Sequence, residues 1–227
     1  SIVSFMIAFA VTAFTNFIIK RNLLKWDSTA VFLKGKLVFV VFTAVFALCC
    51  SDLLPGNTAQ SSLLAANPSW FLHSDPIFHK NIGYYVFQRP FFTNVSTWFL
   101  YVFMLLLAYS LVIYFMYYVR NGGGKISAVL QQSGIVTHLA VYILVVFVIN
   151  GIGFNFSAED VLFRETNGIT GGGYTDINVW GNFYKTLPFL LIVIIAAAAA
   201  CIIMKRPKLL ITVILVYPLI WGSIGLY

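Results

Sequence analysis

Two stretches, Thr186–Met204 (TLPFLLIVIIAAAAACIIM) and Leu209–Tyr227 (LLITVILVYPLIWGSIGLY), each run nineteen residues without a charge and are separated only by Lys205-Arg206-Pro207-Lys208. About twenty apolar residues of helix cross a hydrocarbon core of about 30 Å, and charged side chains stay outside it. The pair therefore reads as a membrane hairpin. Composition agrees: 60% of residues are hydrophobic, 9% are charged and the mean hydropathy is +0.91, which lies outside the range of soluble domains. In lipid the backbone must satisfy its own polar groups, as helices or as a closed barrel. Long apolar runs without alternation select helices.

Extended along the chain, this reading gives an all-α integral membrane fold in a single domain over residues 1–227. Its six transmembrane helices fall at about 1–19, 37–54, 93–119, 135–154, 186–204 and 209–227. The second has only fifteen uncharged residues, Leu37–Ser51, and is expected to extend past Asp52 into Leu53-Leu54. Pro218 lies inside the sixth, where a kink is expected because neighbouring helices can satisfy the freed carbonyl. Cys49, Cys50 and Cys201 fall in or beside apolar runs and read as small buried residues, with no disulfide framework.

Charge sets the expected orientation. The segments 20–36, 120–125 and 205–208 hold ten of the fourteen Lys and Arg residues, and the alternate loops hold only Lys80, Arg89, Arg164 and Lys185. Acidic residues reverse the bias, with Asp27 alone on the basic side and Asp52, Asp75, Glu159, Asp160, Glu165 and Asp176 on the other. The positive-inside rule then places the basic segments in the cytoplasm and both chain ends outside. The net charge of +7 reports topology and contact with anionic lipid headgroups, and it argues against nucleic-acid binding because it is spread over three short turns.

Two external loops, about 55–90 and 155–185, are too rich in aromatic and turn residues to be plain connectors. The first opens as a polar linker, Pro55–Ser62, and then gathers Trp70, Phe71, Phe78, Tyr84, Tyr85, Phe87, Phe91 and Phe92, a ring density suited to the membrane surface. The second carries Gly168 and Gly171-Gly172-Gly173 before Tyr174-Thr175-Asp176, a turn that bends the chain back. The loops share one face and are expected to pack on each other. Tyr84, Tyr85 and Tyr174 are expected at the contact, with Asp75 and Asp176 capping backbone groups.

Asp75-Pro76-Ile77-Phe78, Asn81-Ile82-Gly83-Tyr84-Tyr85-Val86-Phe87 and Pro90-Phe91, followed later by Gly171-Gly172-Gly173-Tyr174-Thr175-Asp176, resemble the signatures of uncharacterised protein family 0182, large multi-pass membrane proteins of bacteria. The chain departs from the family pattern at His79, Asn81 and Gln88-Arg89. The resemblance implies a bacterial cytoplasmic membrane protein with one more membrane helix before the segment matching Ser1–Ile19 and a large extracytoplasmic region after the segment matching Leu209–Tyr227. The chain is thus expected to be the membrane part of a longer protein. The motif positions Asp75, Pro76, Gly83, Tyr84, Tyr85, Phe87, Pro90, Gly173, Tyr174, Thr175 and Asp176 are expected to be structural and extracytoplasmic.

Chemistry is sparse. His73, Ser74, Asp75 and His79 offer two imidazoles and a carboxylate, without a further ligand at zinc-site spacing. Glu159, Asp160, Glu165 and Asp176 lack the alternation of a calcium loop and read as solvated acids. Gly171-Gly172-Gly173 lacks the Lys and Ser or Thr of a phosphate loop, and no serine elbow occurs. The spans carry no central Asp, Glu, Lys or Arg; Asn16, His138 and Asn150 read as hydrogen bonds between helices, and Ala196–Ala200 and Gly151-Ile152-Gly153 as close-packing surfaces. No catalytic, cofactor or metal residue is expected. The expected function is a membrane anchor or scaffold whose partners are lipids and other membrane or extracytoplasmic subunits, the competing class being a transporter or lipid-handling protein.

Overall fold

The computed structural model describes residues 2–26, 36–120, 132–166, 169–204 and 206–224. Its helices are α1 (Ile2–Trp26), α2 (Lys36–Asp52), α3 (Thr58–Ala66), α4 (Arg89–Arg120), α5 (Ser133–Asp160), α6 (Asn182–Ile203) and α7 (Pro207–Ile224). Wide π-helical turns at Tyr84–Gln88 and Asp176–Gly181 lead into α4 and α6. A two-residue antiparallel ladder pairs β1 (Glu165–Thr166) with β2 (Ile169–Thr170).

Within the described residues each expected membrane segment forms a helix, and several helices outrun their expected limits. The expected extension of the second past Asp52 is corrected, since α2 stops at Asp52 and Leu53-Leu54 turn toward Pro55. α1 continues through Lys20 and Arg21 to Trp26, and α5 continues to Asp160. A charge ends residence in hydrocarbon but not the hydrogen-bonded ladder, and Lys and Arg are good helix formers. The polar linker expected at Pro55–Ser62 is corrected: Thr58–Ala66 is a helix, in which the Ser61 and Ser62 hydroxyls donate back to the carbonyls of Thr58 and Ala59 at 3.0 and 2.7 Å. Runs of Ser, Thr and Gln suit a first turn as well as a loop. α7 runs on past Pro218. Most of the basic connecting segments, and Gly168, lie outside the described residues.

Among the described residues, four helices are long and apolar enough to cross a membrane: Ile2–Lys25, Tyr84–Arg120, Ser133–Phe163 and Asp176–Ile203. Val40–Asp52 is a shorter apolar helix. Large apolar side chains face outward on these helices, among them Phe14, Phe17, Leu111, Phe115, Ile192 and Val193. Water would penalise such a surface and lipid would not.

The single domain expected from sequence divides by its contacts into two compact units. One comprises Ser1–Asp52, Tyr101–Phe147 and Ile192–Tyr227; the other comprises Leu53–Leu100 and Val148–Leu191. In the first, α1 buries Ser4, Ala8, Thr12, Thr15, Asn16, Ile19 and Leu23 at helical spacing of three and four. Three polar side chains of α1, those of Thr15, Asn16 and Asn22, are tied to other helices. Asn16 Nδ2 donates to Thr43 Oγ1 at 3.0 Å, and the Tyr109 hydroxyl donates to Asn16 Oδ1 at 2.7 Å. Asn22 Nδ2 reaches the Tyr114 hydroxyl at 3.0 Å and the Gly134 carbonyl at 3.1 Å, while Tyr114 also meets His138 Nδ1 at 2.8 Å. The Thr15 and Tyr142 hydroxyls bond each other. Asn16 and His138 therefore join helices, as their isolation in apolar sequence predicts. Ala198, from the alanine run, is fully buried against Ala140 and Leu210.

Candidate functional site

The second unit holds the aromatic and glycine-rich loops, and its centre is Glu159. This residue lies on the last turn of α5, and its side chain is only 2% exposed. Its Oε1 accepts from Lys80 Nζ and its Oε2 from Arg89 Nε at 3.0 Å. The Tyr84 hydroxyl lies 3.3 Å from both oxygens. Arg89 extends the network through its Nη2, which donates to the Phe156 carbonyl at 3.0 Å and to Asp160. Two carboxylates and two cations give the cluster a formal charge of zero, the condition under which a buried carboxylate is tolerated. The reading of Glu159 as a solvated acid is corrected: the ends of two long helices, α4 and α5, leave it facing cations rather than water.

A hairpin delivers Lys80 to this cluster. Ser74 and Asn81 form an isolated bridge, and the Asp75 amide donates to the Lys80 carbonyl at 2.9 Å. Between them Asp75 accepts from the Ile77 and Phe78 amides, each at 2.8 Å, an Asp-Pro turn of the kind its side chain favours. His79 closes the turn in the left-handed region at φ 55°. Partial burial pushes the Asp75 carboxyl upward, but the Ile77 and Phe78 amides and the Tyr85 hydroxyl outweigh it and hold the group below its ordinary value. For Lys80, burial lowers the ammonium and Glu159 more than reverses this, so its proton is held more tightly than usual.

The second loop has its own clasp. Arg164 Nη1 donates to Asp176 Oδ1 at 2.7 Å, and Asp176 Oδ2 accepts from the Gly173 amide at 3.2 Å. Gly171 sits at φ 146°, where side chains are strained. The two loops meet through Tyr84 on Glu159, through Tyr85 edge-on to Phe163 at 5.8 Å, and through Lys185 over the Phe78 ring at 4.4 Å. Tyr84 and Tyr85 are thus at the contact, and Asp75 and Asp176 cap backbone amides. Tyr174 is not at the contact: it stands on the first helical residue after the glycine turn, with its side chain 83% exposed.

Among the expected motif positions, the structure brings Tyr84 to the cluster, joins the Tyr85 hydroxyl to Asp75 at 3.1 Å, sets Gly83 and Phe87 against the 69–71 segment, and leaves Pro90 on the first turn of α4 and Thr175 before the π turn. His73 and His79 contribute backbone groups to the hairpin. The pairing of Lys80 and Arg89 with Glu159 is what sequence reasoning missed. Its signal was four cations facing six carboxylates on one side of the expected topology.

A profile described as an uncharacterised protein family, UPF0182, matches residues 1–226. The chain belongs to that family. A UPF0182 protein of Caldicellulosiruptor saccharolyticus is 30% identical over 186 residues, covering 81% of this chain and 20% of the relative. One of Desulforamulus reducens is 30% identical over 159 residues, covering 68% of this chain and 16% of the relative. One of Trichodesmium erythraeum is 27% identical over 129 residues, covering 52% and 14%. The chain thus spans about a fifth or less of the length of these UPF0182 relatives. No solved structure matches it.

Proposed function

We propose that this chain is a membrane anchor module of the bacterial cytoplasmic membrane, with six spans and with both long loops extracytoplasmic, on which other protein subunits or the rest of a UPF0182 polypeptide are organised. The observation that carries the reading is the buried, charge-neutral cluster on Glu159. It fastens two loops into one cap and leaves the cations of that cap occupied internally, which suits a rigid platform better than a site that binds and releases a charged substrate. The test is native mass spectrometry of full-length protein extracted into nanodiscs. A protein partner or defined oligomer is expected, and Arg89→Ala should release it. A monomer that retains no partner and drives solute flux in vesicles would overturn the reading.

The proposed sidedness rests on the ten-to-four division of basic residues between alternate connections. In a background lacking the three native cysteines, Tyr174→Cys should react with an impermeant maleimide added outside, and Lys25→Cys should react only after lysis. The reverse pattern would invert the topology.

One observation favours a transporter or lipid-handling role as the second reading. His138 Nε2 and Thr12 Oγ1 are buried in membrane helices without a protein hydrogen-bond partner, and such groups are costly in an apolar setting unless something polar meets them. That reading requires flux that His138→Ala abolishes.

A further inference from the structure

The segment Trp70-Phe71-Leu72 is held in place and yet turned outward. The Asn81 side chain grips Phe71 as a neighbouring strand would: its Nδ2 donates to the Phe71 carbonyl at 2.6 Å and its Oδ1 accepts from the Phe71 amide at 3.1 Å. The same oxygen accepts from the Gly83 amide at 2.9 Å. The Phe71 ring stacks on Phe87 at 6.4 Å with the planes 5° apart. A Cβ at Gly83 would collide with the Ser69 carbonyl oxygen, so the two backbones touch. Within this clamp Leu72 is 100% exposed and Trp70 is 66% exposed. An ordered loop that displays a leucine and a tryptophan is built to meet an apolar surface.

Its level relative to a bilayer follows from α4. Residues 90–119 of this helix carry no charge, and Arg89 and Arg120 bound them. Thirty residues of helix rise about 45 Å, the thickness of a hydrocarbon core together with its headgroup layers. The Arg89 end therefore stands at headgroup level, and Phe87 lies only two residues beyond it. Because Phe71 leans on Phe87, the tip is carried at that same level. Tryptophan favours this boundary, where its ring meets acyl chains and its N–H meets headgroups. The segment 53–74 contains no charged residue that entry into the boundary would have to desolvate.

We propose that Trp70–Leu72 is a lipid-docking tip, seated in the headgroup and upper acyl region of the leaflet on the Arg89 side and aimed there by the Asn81 clamp. The occupant is the bilayer itself. The inference rests on the membrane character of the helices and is independent of what the module organises.

The experiment places an NBD fluorophore on Leu72→Cys in cysteine-free full-length protein, reconstituted in phosphatidylcholine–phosphatidylglycerol vesicles with or without doxyl-labelled phosphatidylcholine. Leu72 makes no packing contact to lose, so circular dichroism should match the parent. The expected result is blue-shifted emission that doxyl lipids quench, more strongly with the label at acyl carbon 5 than at carbon 12. Asn81→Ala in the same background should weaken that quenching while Phe14→Cys, on the outward face of α1, keeps its own. Blue-shifted emission that no doxyl lipid quenches would mean that a protein surface covers the tip, and red-shifted unquenched emission would mean that it stands in water. Either result overturns the proposal.

Discussion

Replacing Arg89 by alanine is expected to destabilise the loop unit by about 3 kcal/mol, the lower end of the range for removing one member of a buried ion pair. The asymmetry of burial decides which partner matters more. Glu159 is the inaccessible member, with its side chain 2% exposed, whereas the Lys80 side chain is 41% exposed. Arg89→Ala leaves a buried carboxylate supported by Lys80 and the Tyr84 hydroxyl. Glu159→Gln instead leaves cations that have other recourse: Arg89 keeps Asp160 and the Phe156 carbonyl, and Lys80 can turn toward solvent. That change should cost about 1 kcal/mol. Since the Gln variant removes the charge that Arg89→Ala strands, the double variant should be more stable than Arg89→Ala alone. Thermal unfolding in one detergent, with amide exchange followed in residues 73–89 and 156–164, measures all three. Additive losses in the double variant would show that Glu159 and Arg89 are not coupled.

The helices were legible because lipid imposes a one-dimensional rule: apolar length between charges. That rule located the segments that became α1, α2 and α4–α7, and it misplaced their ends where Lys20-Arg21 or Ser157–Asp160 could continue a ladder outside the apolar core. The reading of Asp75 was legible for a local reason, since an Asp-Pro turn caps amides two and three residues on. The Glu159 cluster was not, because Glu159 lies 70 to 79 residues from Arg89, Tyr84 and Lys80 and no periodicity links them. Asn81 was equally opaque. Its role depends on the Phe71 backbone ten residues earlier lying within reach of both ends of one amide, a coincidence that only the folded hairpin creates. α3 escaped for the opposite reason, as Ser, Thr and Gln suit linker and first turn alike.

Gly83→Ala should cost about 2 kcal/mol through overpacking, and the loss should fall on the loop tip rather than on the helices. The glycine is not needed for its backbone angles, which are φ −58° and ψ −30° and open to any residue. Chain entropy alone would then make alanine the more stable choice by up to about 1 kcal/mol. The steric term opposes this and is larger. A Cβ at this position would drive into the Ser69 carbonyl oxygen and lie 3.2 Å from the Ser69 carbonyl carbon and 3.1 Å from Asn81 Oδ1. Neither neighbour can step aside easily: the first is backbone, and the second is held by both polar groups of Phe71. Relief requires the 69–72 segment to move off Phe87, which would release the tip. Gly153→Ala provides the contrast, because no atom lies within 4 Å of its Cβ and it sits within α5. There alanine should stabilise by up to about 1 kcal/mol through helix propensity. Unfolding of the two variants under the same conditions should therefore shift in opposite directions, and a Gly83→Ala protein as stable as its parent would mean that the Asn81 clamp is slack.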